Sequence, residues 1–280
     1  MLVEAADQMR DALFARFSEA LNAAMPDAAS DGLLELSTHR VHREFLDKPV
    51  DKDLIRSLCA LALSSPTKSD LQQRDIIMVQ DPDLRARISR LMPQYPWIAT
   101  APAFVIVCLN GRRLPQISEW REKPFPNDHF DLLFNAIGDA AITLAWLQAA
   151  VDLAHLGGCP VSEVRNHAQQ ISDWLKLPEK VAPYAGLCIG WPAREGAITA
   201  RLPLSVTLHT DRFGEVDAKR DIEAYDKVRA QRSTSRRQRA ADIWGEAETY
   251  GWMEDKARQY AEPLRTDFGA YLRRRGFDMR

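Results

Sequence analysis

FDLLFNAIGDAAITLAWLQAAVDLAHL, residues 130–156, is the stretch on which the fold turns. It is rich in alanine, and its apolar residues cover most of a helical circumference instead of one stripe. A helix that is apolar nearly all round needs cover on every side, which places it in the middle of a domain or at a subunit interface. Asp131, Asp139 and Asp152 interrupt the run and argue against a membrane span.

Working outward, AFVIVCLN at 103–110 is apolar almost throughout and suits a central strand better than an edge. RDIIMVQD at 74–81 and residues 184–189 read as further strands, and Gly157 and Gly158 read as the stop of the long helix. Helices are expected over residues 1–25, 31–40, 51–63 and 83–92, and again from Val164. Residues 111–127 form a charged loop with aromatics and prolines, long enough for a substrate-side flap. Beyond residue 210 the chain turns charged, with Trp244, Trp252 and Tyr260 as isolated anchors. The expected organisation is an extension over 1–30, an α+β body over 31–210 and an arm over 211–280.

Of the 280 residues, 27% are charged and 46% apolar, and the net charge is -2. That balance is ordinary for a globular protein and lacks the basic footprint of a general nucleic-acid binder. Cys59, Cys108, Cys159 and Cys188 form no CxxC or Cys/His cluster, so buried thiols in a reducing compartment are expected. Glu4, Asp7 and Asp11 in the amphipathic N-terminal stretch argue against a secretory or transit peptide. A cytoplasmic protein without a membrane or nucleic-acid partner is the expectation.

Several polar segments stand out. THRVHREF at 38–45 holds two histidines and two arginines. No further ligand at familiar spacing supports a metal there. A solvated face and a phosphate clamp by Arg40 and Arg43 both remain open, because guanidinium donors suit phosphate oxygens. SSPTKSDLQQ at 64–73 carries hydroxyls, Lys68 and Gln72 just before a strand, where ligands often sit but ordinary turns do too. HLGGCP at 155–160 lets backbone approach a flat ligand, or merely ends a helix. Cys159 has no activating partner, and no catalytic side chain is proposed. Arg201 lies in a loop of few charges. VRAQRSTSRRQR at 228–239 contains Arg229, Arg236 and Arg237 without an acid, which suits a phosphate-bearing ligand or a solvated face. The GxGxxG, GxxxxGK[ST] and GxSxG patterns are absent.

In their order and spacing these pieces resemble the nitroreductase family of FMN flavoproteins, in its larger, oxygen-insensitive, NADPH-preferring nitroreductase and flavin reductase branch. The pieces are HRVHREF, SSPTKSDLQQRDIIMV, PQYPWIATAPAFVIVC at 93–108, LGGCPVSEVRN, LPEKVAPYAGLCIGWP at 177–192 and RLP at 201–203. The resemblance implies an α+β fold with a mixed central sheet flanked by helices, and a long apolar helix at an intertwined homodimer interface holding FMN. It places His39, Arg40, Arg43 and Arg201 at the ribityl phosphate, and Ser64, Ser65 and Thr67 along the flavin. Gln72 would address the pyrimidine edge, Gln94 the ring, and the Gly157 and Gly158 backbone N–H groups N5 and O4. Arg229, Arg236 and Arg237 resemble the loop that holds NADPH phosphates.

The implied activity is two-electron, ping-pong transfer of hydride from NADPH, or NADH, to a nitroaromatic, quinone or free flavin. The same fold also admits enone or imine reduction, dehalogenation or a flavin-binding sensor without turnover; an RNA contact through the arginine run is a third class. Three departures from the family pattern matter. Thr199 stands where the branch has a lysine, with Lys68 as the candidate to replace its charge. PVSE at 160–163 replaces a more glycine-rich stretch, and the residues before Asp31 extend beyond the usual start.

Overall fold

The computed structural model describes residues 2–19, 30–214, 217–232 and 237–280. Two compact units emerge, one from residues 1–38 and 197–264, the other from 39–196 and 265–280. This grouping differs from the linear division expected at residues 30 and 210, because the chain leaves the first unit after residue 38 and returns to it at 197.

The chain opens with α1 (Leu2–Phe17) and α2 (Ser30–Ser37) in the first unit. The second unit follows with α3 (Lys52–Leu63), β1 (Arg74–Met78), α4 (Pro82–Arg90), α5 (Trp97–Thr100), β2 (Ala103–Asn110) and α6 (Arg113–Trp120). It continues with α7 (Phe130–Leu153), β3 (Gly157–Val161), α8 (Ala168–Trp174) and β4 (Val181–Gly190). Helices α9 (Leu204–Thr207), α10 (Ala218–Arg232), α11 (Ala241–Trp244) and α12 (Trp252–Ala261) belong to the first unit again, and α13 (Phe268–Arg274) to the second.

The four strands run in the order β1-β2-β4-β3, with every neighbouring pair antiparallel. The mixed sheet of the expectation is therefore corrected: among the described residues its parallel component is one bridge, Val41 to Gly158, because segment 39–45 touches the sheet only there and at Phe45–Pro192. β2 is central and buried from Phe104 to Asn110, as its unbroken apolar run predicts. Its alternation sorts the two faces. Phe104, Ile106 and Cys108 meet Ile88, Met92, Ile98 and Ile171. Val105 meets Leu147 and Val151 of α7 together with α3, while Val107 and Leu109 meet Leu133, Ala136 and Ala140.

α7 thus lies on one sheet face, with its opposite side uncovered in the single chain. Phe130, Phe134, Ile142 and Trp146 follow one another at four-residue steps, Gly138 fills the missing step, and all four side chains are exposed, Phe134 at 62%. The cover that the sequence calls for is met on the inner side alone.

Two local expectations change. The charged loop at 111–127 contains α6, started by Asn110 Oδ1, which accepts the backbone N–H groups of Arg112 (2.8 Å) and Arg113 (3.2 Å). α7 ends before the glycine pair: His155 takes the left-handed conformation (φ 54°), its N–H donating to Asp152 O and that of Leu156 to Val151 O. Gly157 and Gly158 instead open β3, where a side chain has no room. A Cβ on Gly157 would lie 2.8 Å from His42 Cβ, and one on Gly158 2.4 Å from Gln148 Oε1.

In the first unit, Tyr225 of α10 meets Trp252 edge-on at 5.5 Å, and Asp226 accepts the Met253 N–H at the start of α12. Trp244 and Tyr260 are exposed.

Two stability outcomes follow from these contacts. Gly157→Ala forces His42 away from β3 and lowers unfolding free energy by about 1–3 kcal/mol, read by urea denaturation. Asp139 is 2% exposed and accepts backbone N–H groups from Lys68 (3.2 Å) and Gln73 (2.8 Å). Asp139→Ala strands both donors, costs about 2–4 kcal/mol and speeds proteolysis within 64–73, with Asp139→Asn in between.

Candidate functional site

Segment 39–45 is extended, anchored by the His42 N–H donating to Gly158 O at 3.0 Å. In extended chain, residues three apart point to opposite sides, so Arg40 and Arg43 do not form the single clamp expected of a helix end. Arg40 pairs with Glu195, whereas the Arg43 guanidinium lies 5.6 Å from the Trp97 ring centroid. His39 Nδ1 is 2.6 Å from Asp152 Oδ2, and Gln148 Nε2 donates to the other oxygen of Asp152 at 2.8 Å. Burial holds the His42 imidazole below its ordinary pKa, helped by Arg40 and His39 and opposed by a backbone contact at Arg194 and by Asp152.

The 64–73 loop is held in an unusual backbone shape. Ser69, Asp70 and Gln72 all have positive φ, near 50°. Non-glycine residues in that region carry strain that persists only where surroundings enforce it. Asp139 supplies the enforcement from α7. Ser65, buried, has its Oγ 3.4 Å from Thr143 Oγ1, also on α7. Ser64 Oγ turns back to Leu61 O, and Thr67 Oγ1 accepts the Gln72 N–H at 3.4 Å. The Gln72 amide donates to Asp70 Oδ1. The Lys68 amine lies 3.9 Å from Asp131, an exposed pair of small energetic weight.

Gln94 Nε2 donates to Glu163 Oε1 at 3.3 Å. The same carboxylate accepts from Asn166 at 2.6 Å and lies 3.8 Å from the Arg265 guanidinium. The departure at PVSE therefore brings a tethered negative charge beside a predicted flavin contact.

In the second unit the structure thus ties the histidine–arginine segment to Gly157 and Gly158, and the serine-rich loop to α7. The glycine pair packs against the protein's own His42 and Gln148. Arg201 and Arg229 belong to the first unit and meet at Thr199 and Ala200, Arg201 donating to Thr199 Oγ1 at 2.5 Å and Arg229 to Ala200 O at 3.2 Å. Arg237 is exposed, and Arg236 lies outside the described residues. A cavity of about 370 Å³ lined by Lys52, Ile55, Met78, Arg85 and Phe104, among others, shares no residue with the predicted set.

Sequence reading missed Asp139, Thr143, Gln148 and Asp152, the polar side chains of α7 that hold these segments. Asp139 and Asp152 register in the sequence only as interruptions of an apolar run. They form two i,i+4 pairs on roughly opposite sides of the helix, along about 20 Å of its length. The thiols offer no nucleophile: burial pushes Cys59 up to about 11 and raises Cys108 and Cys188 further. It also raises Cys159, against the pull of neighbouring Arg43 and Trp97.

The comparisons with known proteins give the family. The model of the Nitroreductase family matches residues 36–191, and that of the Nitroreductase family, C-terminal domain, residues 200–280. An FMN reductase [NAD(P)H] of Bacillus subtilis is 29% identical over 247 residues, covering 86% of this chain and 96% of the relative. An oxygen-insensitive NADPH nitroreductase of Salmonella typhimurium is 32% identical over 184 residues, 66% of this chain and 75% of that protein. Among solved structures, the hypothetical oxidoreductase YcnD from Bacillus subtilis superposes with a TM-score of 0.80 at 26% identity, over 89% of this chain and 98% of that one. With the family model matched over more than half of its length, the chain belongs to the nitroreductase family.

Proposed function

We propose that this chain is an FMN-dependent oxidoreductase that passes hydride from NADPH, or NADH, to a small electron-poor acceptor such as a nitroaromatic, quinone or free flavin. The observation that carries the reading is the match to an FMN reductase [NAD(P)H] across 96% of that relative. The residues present fit such a cofactor. Arg40 Nε and Gln148 Oε1 are buried without a hydrogen-bond partner among the described residues, the first within segment 39–45 and the second against Gly158 of β3, which that segment bridges. Bound FMN would supply the two-electron chemistry, which explains why no acid–base pair is needed from the protein.

In this reading His39 and Arg40 bind the phosphate end of the flavin and Arg43 acts from the opposite side of the extended segment, while Arg201, in the first unit, is a phosphate ligand in its own right. Ser64, Ser65, Thr67 and Lys68 follow the ring, Gln72 takes its pyrimidine edge, and Gln94 lies along it. Gly157 and Gly158 serve by admitting His42 and Gln148 so close to β3. Asp152 keeps the His39 ring in place, and Asp139 keeps the 64–73 loop in its left-handed shape. Arg229, Arg236 and Arg237 hold the nucleotide phosphates. Donor and acceptor occupy one pocket in turn, the ping-pong sequence. Four free, buried thiols suit a reducing cytoplasm.

A homodimer completes the proposal. The apolar stripe of Phe130, Phe134, Ile142 and Trp146 is the surface for a second copy, since a row of exposed large apolar groups on a long helix marks an interaction face.

Purified protein should be yellow, with FMN released on denaturation. Arg40→Ala and Arg43→Ala should each weaken FMN binding by roughly tenfold. An unchanged flavin Kd in both would remove the phosphate assignment. Replacing Arg236 and Arg237 by alanine should lower the NADPH-over-NADH ratio in kcat/KM, while NADH turnover stays. Trp146→Glu should shift sedimentation from dimer to monomer; a monomeric wild type would defeat the interface.

A further inference from the structure

Within the unit of residues 1–38 and 197–264, three arginines from separate segments meet at two consecutive residues. Arg16, in the last turn of α1, is 6% exposed. Its Nε donates to Ser37 O at 2.7 Å, at the end of α2, and its Nη1 to Thr199 O at 3.3 Å. Its own carbonyl accepts the Arg201 N–H at 2.7 Å. The Arg201 guanidinium returns to Thr199, reaching Oγ1 at 2.5 Å and O at 3.5 Å. Two guanidinium groups therefore share one carbonyl oxygen, and Arg229 occupies the next.

Gathering like charges costs energy unless something of opposite sign joins them. Among the described residues, Arg201 and Arg229 have no carboxylate within ion-pair distance, and Arg201 is exposed. A buried cation behind exposed N–H donors is the arrangement that favours a compact dianion, and forked guanidinium donors match phosphate oxygens. Neither family match reaches α1, whose coverage begins at residue 36. Lys68, the expected substitute for the charge missing at Thr199, faces Asp131 in the other unit.

We propose that Arg16 is a positioning residue for a phosphate-monoester site on residues 199–201, its fixed, buried guanidinium holding Thr199 and Arg201 so that Arg201 and Arg229 present their donors to the ligand. This rests on the flavin and nucleotide reading above, which offers two sources of the same chemistry: the phosphate of FMN and the 2'-phosphate of NADPH.

The test uses the full chain and two ratios. One is FMN over riboflavin affinity, by flavin fluorescence; the other is NADPH over NADH in kcat/KM. Arg16→Met should lower one ratio at least tenfold and spare riboflavin or NADH itself; which ratio falls identifies the phosphate. Arg201→Met should lower the same ratio, and the double variant should be little worse than either single one. Should Arg16→Met be too unstable to assay, Arg16→Lys, which lacks the two-point hold on Ser37 and Thr199, should lower that ratio severalfold. A folded Arg16→Met, or Arg16→Lys in its place, with both ratios at wild-type values overturns the proposal, as does equal weakening of FMN and riboflavin with the nucleotide ratio unmoved, the mark of a merely structural arginine. A wild type that binds no flavin, or shows neither preference, instead brings down the functional reading itself.

Discussion

The seating of α7 on the face of β2 formed by Val105, Val107 and Leu109 is the contact from which the second unit is built. Each fully buried aliphatic side chain there contributes about 1.5–3 kcal/mol, so apolar burial is the main force that seats the helix. Because its position is decided that way, its few polar groups are carried to determined places. Asp139 and Thr143 receive the 64–73 loop; Gln148 and Asp152 receive β3 and His39. Polar groups inside an apolar helix are costly unless partnered, and here most of the partners are the segments that carry the candidate site.

That dependence explains the form of the site. The loop of Ser69, Asp70 and Gln72 has a backbone that isolated peptide would avoid, and one buried carboxylate holds it by two N–H groups. Segment 39–45 is bound to β3 by backbone, so its side chains alternate: the arginines are sent to different neighbours, and His42 is pressed onto Gly157. Positive charge is thereby distributed around the segment instead of concentrated at one point.

The first unit uses arginine differently. Arg16 and Arg258 are both nearly buried, and each spends its donors on backbone carbonyls: Ser37 and Thr199 for the one, Arg239 and Gly245 for the other. A planar guanidinium with five donors can join several loops at once, which suits chain with few apolar residues to bury. Arg258 also pairs with Glu254 and lies over the Tyr250 ring, so its charge is largely answered locally. Arg201 and Arg229, exposed or half-buried, have no such answer among the described residues.

Much was legible in the amino acids alone. The unbroken apolar run at 103–110 marked the central strand, Asp51 marked the start of α3, and the ordered polar segments pointed to the nitroreductase family. These are local signals, set by periodicity, capping and spacing. What tertiary structure decided was where each backbone segment stops and whom it meets. The glycine pair at 157–158 reads equally as a helix stop or a close approach, and only its pairing with Gly190 and Ile189 of β4 places it in a strand, where His42 and Gln148 press on it. Arg40 and Arg43 change from one clamp to two separate contacts once the backbone is extended. Arg16 gives no signal at all in sequence, because the carbonyl oxygens it holds lie 21 and 183 residues away and every residue possesses one.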